Sequence, residues 1–303
     1  MNGADPTLKA VARVSAVVVD FRAGSVLHGC LRSLLATGVN EVVVVDNAAE
    51  RYDETSLPAD ERASVLVVRP GRNLGYGAGV NRGVAATRRP VGSGVTSDYV
   101  LVCNPDVIVH PGTVSGLVST LDAEGSLAIV GPRVEGRGGE LYPSARTFPS
   151  IVDAAGHAVF SQLWPKNPFT RRYRALPSDD SDVSRVEWVS GACFLVRRSA
   201  FEEVGGFDER YFMYAEDMDL CWRLHEAGWG VGYRRGIAVT HEGGVTTGQE
   251  PLKMQVAHHI SSLRFWYRTT KGWKRLAFPI AAVLLGTRLA VVSITSAVVH
   301  RSS

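Results

Sequence analysis

Polar side chains that could bind a cation stand directly after two apolar runs of the sequence. In "VCNPDV", Asn104 and Asp106 are separated by one residue, so both side chains point into the same cleft if the run is a strand. Their oxygen atoms suit a hard divalent cation that bridges two phosphates, although N-P-D is also typical of a simple turn. His241 follows "IAVT" and is either a structural histidine or, beside Asp106, a metal ligand that favours Mn²⁺.

Three acidic residues begin a predicted helix in "YAEDMDLCWRLHEAGW", and one of them is a candidate general base. Acids are common at this position because the helix dipole stabilises them whatever their function. Asp219 lies four residues before Arg223, which is the spacing of a structural ion pair. Consecutive helix positions point about 100° apart, so at most one or two of Glu216, Asp217 and Asp219 face a cleft. Because Asp217 has no such partner in the sequence, we predict that it is the base.

The glycines of "NLGYGAGVNRGV" raise the question of a dinucleotide site, because Gly77, Gly79 and Gly83 form a G-x-G-x-x-x-G pattern. In a dinucleotide fold the first glycine follows the first strand almost at once, so that the pyrophosphate meets a helix N-terminus. Here the third apolar run ends at Val68, and "RPGRNLGY" intervenes before Gly77. The spacing and the strand are both wrong, so a nicotinamide-dependent oxidoreductase is disfavoured.

Valine-rich runs alternate with helical patterns over the first half of the chain. The runs are "VSAVVVDF", "EVVVVDN", "SVLVVRP", "YVLVCNPDV" and "LAIVGPRV", and helical spacing occupies Ser25–Thr37, Gly77–Thr87 and Pro111–Ala123. Short, continuous apolar runs are typical of strands buried on both faces, so this half is predicted to be a parallel sheet with helices on both sides. Ligands of such sheets bind beyond the carboxyl ends of the strands. Asp20, Asp46 and residues 104–106 are therefore expected to line one edge.

The second half of the chain has a different pattern. Tyr142–Arg185 is rich in Pro, Ser, Arg and aromatic residues, and it is predicted to form long loops plus a short helix that shape a substrate site. "VEWVSGACFLVRR" is predicted to be one further strand, and "SAFEEVGGF" and "EDMDLCWRLHEAGW" to be helices. A polar-aromatic helix is expected around Gln255–Lys271.

The net charge of +3 conceals an asymmetry between the body of the chain and its last 53 residues. From Pro251 to Ser303 there are eight Lys or Arg residues and no Asp or Glu, which leaves 25 basic against 30 acidic groups in the other 250 residues. A basic tail on an acidic body predicts an anionic membrane surface as a partner. Nucleic acid is disfavoured, because the basic residues of the tail flank an apolar segment.

That apolar segment, Leu276–Val299, approaches the roughly 20 residues that a membrane span requires. Pro279 and Arg288 interrupt it, and an arginine in the middle of a span is costly. A helix or broken hairpin lying in the interface of the cytosolic leaflet is therefore favoured over a true span or a buried core helix. The four cysteines show no metal-binding spacing and no leader pattern opens the sequence, so we expect a cytoplasmic protein in a reducing compartment.

Together, the motifs resemble the serial blocks of the family 2 inverting glycosyltransferases, which have the GT-A fold. The matching blocks, in order between Val14 and Gly244, are "VVVDF", "VVVVDNA", "RNLGYGAGVNRG", "VCNPDV", "SGACFLVRRSAF", "VGGFDERYFMYAEDMDLCWRL" and "VTHEGG". The resemblance implies an α/β fold with a Rossmann-like mixed sheet that binds a nucleotide-diphospho-sugar. It divides the chain into a donor half (about 14–131), an acceptor half (about 132–250) and a helical membrane-association region (251–303).

The resemblance also implies roles for individual residues. Asp217 corresponds to the catalytic base and Asp106 to a ligand of Mn²⁺ or Mg²⁺, with His241 as the further metal ligand. The residues expected at the donor are Asp20, Asp46, Arg72, Asn73, Gly75, Asn104 and Asp106, and those expected at the acceptor are Trp188, Gly191 and Glu216. Within these sets Asp46 would accept the pyrimidine N3–H, and Arg72 would contact the diphosphate.

The chain departs from the family pattern at three points. Asp20 and Phe21 replace the usual Thr-Tyr, "DNAAE" lacks the Ser that normally follows DN, and Asn104 stands where many members have Asp. These departures concern the base and ribose contacts and one oxygen ligand, for which the Asn carbonyl can still serve.

Three later segments are similar to one branch of the family. They are "GELYPSARTFPS", "HAVFSQLWPKNPFTRRYR" and the C-terminal helix. This branch transfers rhamnose from dTDP-rhamnose to N-acetylglucosaminyl-diphospho-polyprenol on the inner face of the cell membrane, in synthesis of the arabinogalactan linker. The expected partners are thus a dTDP-sugar donor, a polyprenyl-diphosphate-linked acceptor and the membrane surface, and homo-oligomerisation is left open. The alternatives are a galactofuranosyl or mannosyl donor, or a catalytically silent nucleotide-sugar-binding scaffold.

Overall fold

The computed structural model describes most of the chain between residues 14 and 279. The described ranges are 14–48, 62–87, 97–148, 181–243 and 251–279, with single positions between 164 and 170 and between 282 and 287. The predicted boundary at residue 250 and most of the predicted apolar segment 276–299 lie outside these ranges.

The first half of the chain forms four parallel strands with helices between them, as predicted. The strands are β1 (Val14–Asp20), β2 (Glu41–Asp46), β3 (Val65–Val68) and β4 (Tyr99–Cys103), in the spatial order β3-β2-β1-β4. The helices are α1 (Ser25–Leu35), α2 (Tyr76–Ala86) and α3 (Thr113–Ala123). All residues of β1, β2 and β4 are buried, which explains their continuous apolar runs.

The second half completes the same sheet with strands of mixed direction. In chain order they are β5 (Val107–Val109), β6 (Leu127–Glu135), β7 (Leu141–Tyr142), β8 (Ala145–Arg146), β9 (Val183–Val186), β10 (Trp188–Val189), β11 (Cys193–Arg197) and β12 (Gly230–His241). Strand β11 lies antiparallel between β4 and β6, and β12 runs parallel to β6 and antiparallel to β5. The remaining helices are α4 (Arg198–Glu203), α5 (Glu216–Glu226), α6 (Pro251–Thr269) and a 3₁₀ helix (Gly272–Ala277).

Two expectations for the middle of the chain were wrong. "VEWVSGACFLVRR" contains the last residue of β9 and two further short strands, because β9 pairs with β12, β10 pairs with β8 in a separate two-stranded sheet, and β11 enters the main sheet. Within the segment predicted as loops, β8 and the start of β9 are short strands, whereas most of residues 149–180 lies outside the described ranges. Two-residue strands carry too little periodicity to be seen in a sequence.

The hydrophobic core lies on both faces of the main sheet. Alternate residues of each strand point to opposite faces, so Val17 and Val43 pack with α2 and α5, whereas Val18 and Val44 pack with α1 and α3. Each fully buried valine contributes roughly 1.5–3 kcal/mol relative to an exposed one. The sheet is thus covered by packed helices on both faces.

Helix α6 packs on the second half of the sheet domain. Phe265 is buried against Trp222 of α5, with ring centroids 6.3 Å apart, and the Ser261 hydroxyl donates to the Met213 carbonyl at 2.8 Å. No helix within the described ranges is long and apolar enough to cross a membrane.

Candidate active site

Two buried carboxylates meet at the ends of β1 and β2. Asp20 and Asp46 are partners in the parallel register, and each is almost fully buried. Burial raises the pKa of Asp20 and the neighbouring Asp46 adds to the shift, whereas the Ala23 N–H, which donates to Asp20 at 3.0 Å, and His28 oppose it. Asp46 lies 3.8 Å from the Arg69 guanidinium. Arg69, which the sequence argument missed, is thus the arginine beside this carboxylate, while Arg72 is exposed on the loop after it.

Asp106 and His241 come together where β5 begins and β12 ends, and these are the last two strands of the sheet order. β5 and β12 are paired in antiparallel register, which sets His241 Nε2 3.0 Å from Asp106 Oδ1 and 3.4 Å from Asn104 Nδ2. The three side chains thus lie side by side, and the metal-ligand role of Asp106 and His241 stays a prediction. Two ligands of an octahedral Mg²⁺-sized cation lie about 3 Å apart, since each metal–ligand bond is about 2.0–2.1 Å. The pair therefore fits as neighbouring ligands of one divalent cation.

The donor set consists of one carboxylate, one imidazole and one amide. Within the described ranges no group of three or more His, Cys, Asp or Glu side chains is placed to hold a metal. Cations that act on nucleotides are commonly held by one or two protein ligands together with substrate phosphates. Asp106 and His241 match that pattern, and imidazole suits Mn²⁺ better than Mg²⁺.

The loop between β3 and α2 is tied to the end of β2 by Asn47, a residue that the sequence argument also missed. Its Nδ2 donates to Asn73 Oδ1 at 3.2 Å and to the Gly75 carbonyl at 2.9 Å, and its Oδ1 accepts from the Leu74 N–H at 3.0 Å. Asn73 in turn accepts from the Gly75 N–H at 2.9 Å. Asn73 and Gly75 are thereby held beside the Asp20–Asp46 pair.

The glycines of this loop and of α2 permit close packing. Gly75 has a φ of +86°, and a Cβ there would come within 2.2 Å of the Phe212 carbonyl oxygen, which accepts from the Tyr76 N–H at 3.0 Å. In α2, a Cβ on Gly79 would meet Val19 at 2.9 Å and one on Gly83 would meet Val17 at 2.4 Å. The glycine pattern therefore lets α2 lie directly on β1 and β2.

Asp217 is held at the start of α5 by two backbone donors. The Gly191 N–H donates to Oδ2 at 2.9 Å, and the Met218 N–H donates to Oδ1 at 2.8 Å. Burial raises the pKa of Asp217, while these two hydrogen bonds and the charge of Arg146 oppose the rise. A carboxylate that is fixed, partly desolvated and still accessible is well suited to accept a proton.

Glu216 lies beside Asp217 in a more buried position. Burial and the adjacent Asp217 raise its pKa to about 8, and its Oε2 has no hydrogen-bond partner in the described part of the chain. The two residues before it, Tyr214 and Ala215, both have left-handed backbones with φ values of 67° and 61°. Such conformations are costly for residues other than glycine and concentrate at functional sites.

Asp219 is a structural residue, as its spacing from Arg223 predicts. It is fully buried, and Arg223 Nε donates to Oδ2 at 2.7 Å. Arg268 of α6 approaches the other oxygen at 3.2 Å. Asp219 therefore points into the interior, away from Asp217.

Residues 190–192 connect the two carboxylate groups. The Ala192 carbonyl accepts from the Asn104 N–H at 2.9 Å, while Gly191 donates to Asp217 and accepts from the Tyr76 hydroxyl at 2.5 Å. One short segment thus touches the candidate cation motif, the glycine-rich helix and the candidate base.

Trp188 lies next to this segment and forms a further cluster with Arg146. The Trp188 indole donates to the Thr147 carbonyl at 3.0 Å, and the Arg146 guanidinium lies 5.2 Å from its ring centroid. The predicted residues Gly191 and Glu216 thus lie beside Asp217, and Trp188 lies in the short strand that ends two residues before Gly191. Arg146 was not predicted individually, although its segment "YPSARTFPS" had been singled out.

The mixed sheet and the carboxylates at its open edge define a class of fold, that of the GT-A glycosyltransferases. The structure is similar to the mannosyltransferase PcManGT of Pyrobaculum calidifontis in complex with GDP-Man and Mn²⁺, with a TM-score of 0.55 and 15% identity over 93% of this chain and 75% of that chain. GalNAc-T7, with UDP, GalNAc and Mn²⁺, gives a TM-score of 0.54 and 16% identity, covering 75% of this chain and 42% of that one.

The sequence specifies the family more closely. Residues 12–259 match the model of "Glycosyltransferase like family 2", and the chain belongs to this family. It is 40% identical to the N-acetylglucosaminyl-diphospho-decaprenol L-rhamnosyltransferase of Mycobacterium tuberculosis over 265 residues, which cover 86% of this chain and 85% of the relative. Rhamnosyltransferase WbbL of Escherichia coli is 33% identical over 50% of this chain and 56% of its own length. The protein is thus a glycosyltransferase.

Proposed function

We propose that the protein transfers L-rhamnose from dTDP-L-rhamnose to N-acetylglucosaminyl-diphospho-polyprenol, with inversion at the anomeric carbon. The mycobacterial relative of that activity aligns with this chain over most of both lengths. The observation that carries the proposal is the 190–192 segment, which joins the Asn104 motif to Asp217 through two hydrogen bonds of 2.9 Å. A donor bound at the Asn104 motif and an acceptor bound at Asp217 would meet across this segment.

On the donor side, Asp106 and His241 would hold Mn²⁺ or Mg²⁺, with Asn104 adjacent. When bound, the cation supplies Lewis-acid stabilisation of the charge on the leaving diphosphate. Asp46 would accept the pyrimidine N3–H, Asp20 would lie at the same end of the nucleotide, and Asn73 and Gly75 would border it. Arg72 is exposed on the same loop, where it can contact a phosphate.

On the acceptor side, Asp217 would take the proton of the attacking hydroxyl. The two N–H groups keep its oxygens in place, so the carboxylate does not need to reorganise when the proton arrives. The hydroxyl oxygen attacks the anomeric carbon from the face opposite the nucleotide, and no covalent enzyme intermediate is formed. Trp188, Gly191 and Glu216 would border the acceptor sugar.

We place this reaction in the cytoplasm, at an anionic membrane surface. Trp273 and Leu276 are 79% and 78% exposed at the end of the described chain, and Tyr267 is half-exposed beneath the Arg275 guanidinium. Exposed apolar groups among basic side chains are typical of segments that lie in a lipid headgroup layer. Residues 251–303 would then form the membrane-association region of a GT-A domain that ends near residue 250.

The test is transfer of labelled sugar to a short-chain N-acetylglucosaminyl-diphospho-lipid. We expect product from dTDP-rhamnose, none from UDP-galactofuranose or GDP-mannose, and loss of activity with EDTA that Mn²⁺ or Mg²⁺ restores. Product from another donor only would replace the rhamnosyl assignment. Donor binding without turnover of any acceptor or water would favour a catalytically silent scaffold.

A further inference from the structure

Arg146 occupies a defined position beside the candidate base. It lies directly opposite Trp188 in the two-stranded sheet of β8 and β10. Its guanidinium is 5.2 Å from the Trp188 ring centroid and 6.0 Å from that of Tyr142. Arginine stacks well on aromatic rings because its charge is planar and delocalised. The two rings therefore restrict the plane in which the guanidinium lies.

Within the described part of the chain, one of the three guanidinium nitrogens of Arg146 has a hydrogen-bond partner. Arg146 Nε donates to the Pro143 carbonyl at 2.8 Å, and among the described residues neither terminal nitrogen has a hydrogen-bond or ion-pair partner. The side chain is half-buried. A guanidinium whose Nε is anchored presents its terminal N–H groups as a fork, and this geometry matches two oxygens of a phosphate.

Arg146 acts on Asp217 electrostatically but forms no ion pair with it. The guanidinium opposes the rise in the pKa of Asp217, yet the two groups form no ion pair within 4 Å, and the Asp217 oxygens are occupied by backbone N–H donors. A cation thus stands near the base and remains available to a second anion. In the acceptor of the proposed reaction, the attacking hydroxyl and the diphosphate belong to the same sugar ring.

We propose that Arg146, stacked between Trp188 and Tyr142, binds the diphosphate of the lipid-linked acceptor while Asp217 takes the proton from its sugar hydroxyl. This inference rests on the proposed function. It makes Arg146 the residue that distinguishes a diphosphate-linked acceptor from a simple glycoside. It also fixes the direction of the acceptor, with the lipid leaving the cleft on the side of β8 and β10.

The test compares two acceptors in the full-length protein. One is a short-chain N-acetylglucosaminyl-diphospho-lipid, and the other is octyl N-acetylglucosaminide, which has no phosphate. Arg146→Met should raise KM for the diphosphate acceptor by on the order of 10- to 100-fold, the usual cost of a charge-assisted hydrogen bond. At a pH above the acid limb of kcat, where Asp217 is ionised in both proteins, its kcat/KM for the octyl glycoside should equal that of the wild type. Arg146→Lys retains the charge but not the forked pair of N–H groups. Its KM for the diphosphate acceptor should therefore lie between those of the wild type and Arg146→Met.

Arg185→Met is the matched control, because Arg185 is an exposed arginine that pairs with Glu124. Thermal unfolding and dTDP affinity show whether the Arg146 variants are folded, and Arg146→Lys provides the result if Arg146→Met is not. The proposal would be overturned if kcat/KM fell equally for both acceptors and the acid limb of kcat moved to higher pH. That result would show that Arg146 acts only on Asp217. An unchanged KM would overturn it as well. If the wild type makes no product from the diphosphate acceptor, the proposed function fails and this subsite fails with it.

Discussion

The donor edge and the acceptor edge of the cleft hold their carboxylates in different ways. At the donor edge Asp20 and Asp46 are the last residues of neighbouring parallel strands, so sheet register alone brings them together. At the acceptor edge Asp217 depends on the Gly191 N–H, 26 residues away in sequence, and follows two residues with left-handed backbones. The donor edge is a product of regular secondary structure, whereas the acceptor edge is a product of tertiary contacts.

Because of this difference, substitutions at the two edges should affect ligand binding and stability differently. A strand end is fixed by many buried valines, so changing one polar side chain there removes a ligand and leaves the backbone in place. The acceptor edge relies on a few specific hydrogen bonds, so changes there alter both chemistry and local stability.

The largest expected effect is at the acceptor edge, from Asp217→Asn. The amide retains the shape but cannot take a proton, so kcat should fall by about 10²–10⁴-fold while donor affinity stays nearly unchanged. Steady-state kinetics and calorimetric titration of the donor measure the two quantities.

Asp219→Asn is the matched control for this prediction. It weakens the buried contacts with Arg223 and Arg268, so it should lower the unfolding temperature and have a smaller effect on kcat. The opposite ranking of the two variants in kcat would identify Asp219 as the base.

The next effect is at the donor edge, from Asp106→Ala and His241→Ala. Each should weaken Mn²⁺-dependent donor binding by more than the roughly 10- to 100-fold that is typical of losing an outer-shell partner. His110→Ala is a close control, because His110 bonds Thr240, the neighbour of His241, at 3.0 Å. Wild-type Mn²⁺ titrations for His241→Ala would make this histidine structural.

A smaller effect is expected from Gly83→Ala, which tests the packing of α2 on the donor edge. The added methyl would lie 2.4 Å from Val17 Cγ1, and such overpacking costs about 1–3 kcal/mol in the free energy of unfolding. Gly125→Ala is the control, because no described residue other than its chain neighbours has an atom within 4 Å of the added Cβ. A lower donor affinity at unchanged stability would instead place Gly83 at the nucleotide.

The last prediction concerns Glu216 and the dependence of stability on pH. Its pKa of about 8 lies above the ordinary 4.5, so between these values the folded protein holds a proton that the unfolded chain releases. The free energy of unfolding therefore falls as pH rises through this window, by at most about 1.4 kcal/mol per pH unit.

Glu216→Gln should remove this slope and leave the smaller contributions of Asp20 and Asp217, whose pKa values are also raised. Denaturant unfolding at pH 5, 6.5 and 8 measures the slope for both proteins. Parallel curves would show that Glu216 is ionised in the folded state at neutral pH.

The donor edge could be predicted from the sequence, and the acceptor edge only in part. Asp46 and Asp106 follow apolar runs that end abruptly. The end of a buried strand can therefore be located in the sequence to within a residue or two. The sequence indicates a role for Asn47 only weakly, through an amide that can donate and accept directly after a strand. Its hydrogen-bond partners in residues 73–75 cannot be predicted from the local sequence pattern.

Arg146 illustrates what sequence reasoning misses. It lies in a segment without periodicity, and its partner Trp188 belongs to a strand 42 residues later that is only two residues long. The same lack of local signal explains why β8 and β10 were predicted as loop and as part of a longer strand. The prediction that Asp217 is the base rests on the visible partner of Asp219 at helical spacing and on the family resemblance, and it stays a prediction.

The strand order also has a consequence for synthesis of the chain on the ribosome. β4, which ends at Cys103, finally lies beside β11, which ends at Arg197, so 94 residues separate a strand from its neighbour. At about 5–20 residues per second, β4 stays an unpaired edge for roughly 5–20 seconds after it emerges. Because its five residues are all buried in the finished protein, this interval exposes an aggregation-prone edge. We therefore expect the yield of folded enzyme to depend mainly on a low growth temperature and on the supply of chaperones. The stability of the finished protein should affect this yield less.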